Sequence, residues 1–335
     1  MQKIQRTLKL VCRPAALALA LIMPWLAAPS AASAASDADY PTRPIRFVVP
    51  FPPGSGTDST ARVFAKKITD LTGQGVVVEN KPGGNGFIGV QTVLSAPADG
   101  YTIFVGSNST LSTNAAAFRK LPYDPIEDFA PVSLLTRGPC LVLVPQNSRY
   151  TTLRALIDSA HEKPGALNYG SGSVSYTLYS EWLNELANMK TTNVPYKGAG
   201  DAINAVVAGN VDFAVVDASG AIELAKASKV RALAYTAPRR TPLLPDVPTS
   251  AEAGVPDFQC FNWVAAALPV KTPPSVVQRV IALFNKAGAT AEVQDYYRQQ
   301  SNQLILSTPA EMRRYQTEEI ARWKRLIQVT KLELQ

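Results

Sequence analysis

The chain has 335 residues, three cysteines, one histidine and a net charge of +7. With one histidine and only Cys140 and Cys260 beyond the first 35 residues, the usual zinc arrangements are excluded. The charge of +7 falls to +3 once the four basic residues Lys3, Arg6, Lys9 and Arg13 are set aside, too mild an excess for a nucleic-acid partner. Those four open a leader, followed by an apolar run over Pro14 to Ala28 and small residues over Ala31 to Ala35. This pattern predicts a secretory signal peptide over 1–35 and an exported, periplasmic protein. Cys12 precedes the apolar run, the wrong place for a lipid-modified cysteine. No later stretch is long and apolar enough to span a membrane. The remaining roughly 300 residues exceed one comfortable core and predict two domains.

Arg46 to Val49 reads as a buried strand, ended by Pro50, of the kind found in parallel sheets. Pro52, Pro53, Gly54 and Gly56 then forbid regular structure, and Ala61, Phe64, Ala65 and Ile68 recur at helical spacing behind them. Asp58 is the expected N-cap of that helix, with Thr57 as the rival. A helix N-terminus beyond a strand, surrounded by side-chain-poor backbone, is a seat for an anion. The loop lacks the lysine of a phosphate loop and carries Asp58, so a carboxylate held by neutral donors fits better than a phosphate.

Val76 to Asn80 reads as the second strand. Gly84, Gly86 and Gly89 spell GxGxxG before a helix over Val90 to Ala96, but the acidic residue of a dinucleotide site is missing at its place; Asp99 comes too early. Tyr101 to Val105 reads as the third strand, and Ser107, Asn108, Ser109 and Thr110 follow it as four small polar residues. Ligands of open α/β sheets bind beyond the carboxyl ends of strands, which sets this loop beside Gly54 to Thr57. A strand is expected over Cys140 to Val144 and an amphipathic helix over Thr151 to Lys163, with His161 solvent-facing near its end. Around Gly170, Ser171, Gly172, Ser173, Ser175 and Tyr176 the strand, Gly/Ser loop and helix pattern of the opening stretch recurs. No Gly-x-Ser-x-Gly elbow is present there. Short strands are expected over Thr192 to Tyr196, Val211 to Val216, Val230 to Tyr235 and Phe261 to Leu268. Asp217 ends the second of these. Two terminal helices are expected near Pro274 to Ala287 and Pro309 to Val329. For Cys140 and Cys260, both a disulfide and two buried free thiols remain open.

Taken in order, PFPPGSGTDSTAR, NKPGGNGFIG, PADGYT, LPYDPIEDFAPVS, YGSGS, VPYKGAG, GNVDF and PLLPDVPTSAEAG run through the chain after its leader. Together they resemble the extracytoplasmic solute receptors of tripartite tricarboxylate transporters, the Bug-type receptors. The resemblance implies an α/β, two-domain periplasmic binding protein of the type II, flytrap kind with two crossing hinge strands. Its domains would comprise 36–141, 142–261 and a return segment 262–335. It implies no catalysis and no cofactor. The partners it implies are a small carboxylate and integral-membrane permease subunits, for a monomeric receptor. The ligand would meet Phe51, Gly54, Ser55, Gly56, Thr57 and Asp58, then Ser107 to Thr110. Its far end would meet Gly170 to Gly172, Ser173, Ser175 and Tyr176, with Asp217 nearby. Ser55, Ser173 and Ser175 replace glycines usual in the family, and Tyr176 and Tyr179 stand for a smaller residue and a histidine, which suggests a bulkier distal wall. Both cysteines fall at the expected hinge, where a disulfide between neighbouring strands would staple it. A ligand-sensing receptor and an exported hydrolase using Ser171, Ser173 or Tyr176 are the alternatives.

Overall fold

The computed structural model describes residues 40–330 together with 332 and 333; the leader expected over 1–35 lies outside the described residues. In chain order the elements are β1 (Ile45–Val49), α1 (Gly56–Thr72), β2 (Val76–Asn80), α2 (Phe87–Leu94), β3 (Thr102–Ser107), α3 (Asn114–Ala117) and β4 (Phe129–Pro145). Then come α4 (Leu153–Glu162), β5 (Asn168–Ser171), α5 (Val174–Leu186), β6 (Thr192–Pro195), α6 (Ala199–Val207), β7 (Phe213–Asp217), α7 (Ile222–Lys226) and β8 (Val230–Tyr235). The chain ends with β9 (Phe261–Pro269), α8 (Pro274–Gly288), α9 (Ala291–Gln299), β10 (Gln303–Leu304) and α10 (Pro309–Thr330).

Two sheets share one long strand. In the first, β2, β1 and β3 run parallel, and β9 joins β3 and β4 as an antiparallel neighbour of each. In the second, β6, β5 and β7 run parallel, and β7 and β8 pair antiparallel with β4. The 17-residue β4 divides its pairing: Phe129 to Pro139 pair with β9, and Cys140 to Pro145 with β7 and β8. Each sheet buries apolar side chains on both faces, as parallel sheets covered by helices do. In the first lobe, Phe47 and Phe64 pack on Phe284 on one face, while Phe104, Phe129 and Trp263 fill the other. In the second lobe, Tyr169, Tyr179 and Phe213 lie on one face and Leu141, Val206 and Val216 on the other. This is the two-domain α/β architecture expected.

Three expectations are corrected. β4 starts eleven residues before the strand read at Cys140, because Pro131, Gly138 and Pro139 look like strand breakers. They are accommodated: the register of β4 on β9 shifts between Pro131 and Ser133, and a bulge is where a sheet tolerates proline. A third helix, α9, and the short β10 stand between the two expected terminal helices; α9 buries only Val293 and Tyr297, too thin an apolar stripe to be read from spacing. Finally, α1 is capped by Ser55 rather than Asp58 or Thr57, with the Ser55 Oγ accepting from the Asp58 amide at 3.2 Å.

Cys140 and Cys260 are free thiols, both buried, so no disulfide between them staples the lobes. They lie one rung beyond the Pro139–Phe261 pair, and Thr236 bridges them. Its Oγ1 accepts from the Cys140 amide at 2.7 Å and donates to the Cys260 carbonyl at 2.7 Å. Burial, and then the neighbouring Cys260, push the Cys140 thiol well up, which keeps it inert.

The helix α10 serves both lobes. Met312 packs with the first lobe's core, and Trp323 and Ile327 with the second's. Between them, buried Glu319 accepts from the Trp263 indole at 2.6 Å. Burial outweighs that bond and raises the Glu319 carboxyl from 4.5 to about 7. The folded state therefore holds a proton that the unfolded chain loses first, so stability falls as pH rises from 4.5 to about 7. Glu319→Gln should flatten that slope, leaving the variant more stable than the parent above pH 7 by about 3 kcal/mol. Denaturant melts at pH 4.5 and pH 8 check this.

Candidate functional site

The two lobes meet over a narrow cleft lined by Phe51, Ser55, Gly56, Thr57, Ser107 and Ser109 from the first lobe and its loops. Opposite stand Gly172, Ser173, Tyr176, Ala199 and Asp217, with Asn262 of β9 at the side. Three helices start at this cleft, α1 at Gly56, α5 at Val174 and α6 at Ala199. A helix cannot satisfy its own first amides, and its dipole makes that end positive. The sequence leaves these ends open: Ser55 caps only the third residue of α1, Ser173 makes no cap bond to α5, and α6 begins after Gly198, which has no side chain. No lysine or arginine lines the cleft.

On the first lobe, Asp58 does not face the cleft. Its carboxylate is buried behind the loop, accepting from Gly54 N at 2.9 Å, Arg62 Nε at 3.0 Å and Asn80 Nδ2 at 2.9 Å. Burial pushes this carboxyl up, but the Arg62, Gly54 and Asn80 donors outweigh burial and hold it below the usual range. Asn80 Nδ2 also donates to the Phe51 carbonyl at 3.0 Å, so Asp58 and Asn80 brace the loop from behind. Gly54, with φ +82°, opens toward a separate hollow beside Ser219 and Tyr296. The GxGxxG glycines are packing devices: a Cβ on Gly86 would stand 2.4 Å from Thr110, and one on Gly89 2.8 Å from Pro50.

The loop after β3 is largely consumed by contacts between the lobes. Ser109 Oγ donates to Ser173 Oγ at 2.9 Å and lies 2.8 Å from Ser175 Oγ, which is 2.9 Å from Thr113 Oγ1. Asn108 Nδ2 donates to the Tyr179 hydroxyl at 2.5 Å, and that hydroxyl donates to the Phe261 carbonyl at 2.6 Å. Thr110 turns inward, its hydroxyl on the Ser107 carbonyl at 3.2 Å. Asn108, Thr110 and Ser175 thus sit beneath the cleft, not on its wall. Tyr179 likewise ties α5 to β9 and forms no part of the expected aromatic wall.

In the second lobe, Ser171 is turned away, donating to Asn193 at 2.7 Å and accepting from Thr177 at 2.9 Å. Gly170 packs against Tyr196, Val211 and Ala202. Tyr176 and Asp217 do reach the cleft, and they act together: the Tyr176 hydroxyl donates to Asp217 Oδ2 at 2.7 Å. Asp217 Oδ1 accepts from Ser219 Oγ at 3.0 Å and Gly220 N at 2.9 Å. Ala199 and Asn262 are the lining residues that sequence reasoning missed. Ala199 opens α6 after the Lys197-Gly198 turn, the same strand, glycine and helix signal that marked α1; Asn262 lies on a strand read as apolar and carried no signal. His161 Nε2 donates to the Ala187 carbonyl at 2.8 Å on an exposed surface, away from the cleft lining. Among the described residues no group of three or more His, Cys, Asp or Glu could hold a metal ion, and no helix is long and apolar enough to cross a membrane.

Two α/β lobes joined by a shared strand, with a polar cleft between them, define a solute-binding protein. The family model for the tripartite tricarboxylate transporter family receptor matches residues 60–332. BugT of Bordetella pertussis is 32% identical over 317 residues, covering 93% of this chain and 97% of its own. A solved R. palustris protein with adipate has a TM-score of 0.83 at 31% identity, covering 87% of this chain and 98% of that one. MatC from Rhodopseudomonas palustris with bound malate has a TM-score of 0.81 at 31% identity, covering 86% and 100%. The chain belongs to the tripartite tricarboxylate transporter receptor family, of the Bug type, a family of receptors rather than enzymes.

Gly172 is the residue on which the cleft's geometry turns. A Cβ there would stand 2.2 Å from the Gly198 carbonyl carbon and 2.3 Å from Ala199 N, both backbone atoms at the start of α6. Gly172→Ala should therefore push α6 out of the cleft, costing about 1–3 kcal/mol, and abolish any ligand-induced rise in melting temperature. Gly54→Ala, with φ +82° and nothing within 4 Å of the added carbon, should cost about 1–2 kcal/mol and keep the ligand response. Melting curves of both variants with and without carboxylates check this.

Proposed function

We propose that this protein is a periplasmic receptor that closes around a small carboxylate and delivers it to an integral-membrane permease. The observation that carries this reading is the convergence of three helix N-termini and neutral hydroxyls on a cleft without Lys or Arg. Such an arrangement satisfies a carboxylate through amides and ordered water, without a buried cation to desolvate. Relatives with adipate and with malate support a carboxylate ligand.

The binding residues are the cleft-lining members of the three loops, Phe51 to Thr57, Ser107 to Ser109 and Gly172 to Tyr176, with Asp217. The chain acts as a monomer. Its lobes comprise 36–141 with 262–335, and 142–261, turning about β4 and the start of β9. Ligand favours the closed arrangement, in which Ser109 reaches Ser173 and Ser175, and the permease recognises that form.

A thermal-shift screen against mono-, di- and tricarboxylates, amino-substituted carboxylates, aromatic acids, neutral sugars and amines tests this. A carboxylate at 100 times its dissociation constant adds ~2.7 kcal/mol to stability. A rise confined to acids is expected. A rise with sugars or amines alone, or no rise with any acid after carried-over ligand has been removed by refolding, contradicts the reading.

A further inference from the structure

The anion seat at α1 faces one of the protein's own carboxylates. A Cβ built on Gly56, the first residue of α1, would stand 3.7 Å from both Asp217 oxygens, although the two residues belong to different lobes. Asp217 is buried and lines the cleft. A carboxylate offers about four acceptor directions. Three are taken, by Tyr176, Ser219 and the Gly220 amide, all neutral donors. Nothing in the cleft wall carries a positive charge to cancel it. The charge is held in place by hydrogen bonds, and one acceptor direction remains.

We infer that Asp217 sets the substrate class: the receptor selects carboxylates that also present a hydrogen-bond donor, above all an ammonium group, and discriminates against ligands with a second ionised carboxylate facing Asp217. The inference rests on the carboxylate-receptor reading. The ligand's carboxylate takes amides left open at the helix N-termini. Its second polar group meets Asp217. An ammonium there fills the remaining acceptor direction and neutralises a buried charge; a carboxylate there puts two like charges together in a site that excludes water, and each disfavours the other. Discrimination of this kind comes from the repulsive element as much as from the attractive one. Tyr176 is a positioning residue in this account, because its hydroxyl fixes the Oδ2 that faces the ligand.

Matched pairs of ligands isolate the effect, since each pair keeps its number of carbons and turns one distal carboxylate into an ammonium-bearing methylene. Isothermal titration is run with glutarate against 5-aminopentanoate, adipate against 6-aminohexanoate, and terephthalate against 4-(aminomethyl)benzoate. The amino member of at least one pair should bind at least tenfold more tightly than its dicarboxylate. Asp217→Asn, nearly isosteric and still able to accept from Ser219 and Gly220, should remove or reverse that preference. Tyr176→Phe, which leaves the charge in place, should weaken the preference without reversing it. The parent protein alone decides the matter should either variant fail to fold. Equal or tighter binding of the dicarboxylates, or no binding of any amino member, overturns the inference. If the wider acid panel still raises the melting temperature in that case, the receptor reading stands; if it does not, both fall.

Discussion

Amide hydrogens that a helix cannot satisfy for itself are the constraint on which this structure depends. Each of α1, α5 and α6 brings an incompletely capped N-terminus to the same cleft, and unpaired buried donors are expensive. In a single-lobed protein such ends would be left to water. Here the facing lobe closes over each of them, so the cleft is built to receive an acceptor. The supporting residues follow from that demand. Asp58 and Asn80 hold the α1 loop from behind, Gly172 lets the α5 loop touch the start of α6, and Asp217 offers one anion toward α1 from across the cleft.

The same demand explains how the lobes are joined. A cleft that must admit and then enclose a ligand needs a connection that is strong along the chain yet local in cross-section. β4 supplies it by changing partners between Pro139 and Cys140, from β9 to β7 and β8. At that change Thr236 bonds to both Cys140 and Cys260, tying together the two chain crossings without a covalent link. The cross-lobe hydroxyl cluster runs from Ser109 and Ser173 on the cleft wall to Ser175 and Thr113 beneath it. Ser175, which looks like a departure in a ligand-binding loop, instead supplies a contact between the lobes, and Ser173 does so while lining the cleft.

Much of this was legible in the sequence because strand, glycine loop and helix recur with clear punctuation. β1, β2 and β8 lie within a residue of where alternation and β-branching put them, and the Gly/Ser loops after β1, β3 and β5 do come together. What the residues could not show was direction. Asp58 and Asp217 are both acids beside glycine-rich loops, yet one braces a loop from behind and the other faces the cleft. That difference is made by Asn80 and Arg62 on one side and by Tyr176 on the other, partners 22, 4 and 41 residues away in sequence. Serines divide in the same way, Ser171 turning to Asn193 while Ser173 meets Ser109. Ala199 shows that an open helix N-terminus needs no polar side chain to contribute to a site, so residue type alone passes over it.

We propose that the ligand is held by backbone amides at helix N-termini within the cleft between the lobes. A crystal structure with a bound carboxylate that raises the melting temperature tests it most directly. Carboxylate oxygens are expected within hydrogen-bond distance of amides at the starts of α1, α5 or α6, directly or through one water, with no Lys or Arg in contact. A ligand seated instead in the neighbouring groove between Pro82 to Gly86 and Lys197, paired with the Lys197 ammonium, would contradict it.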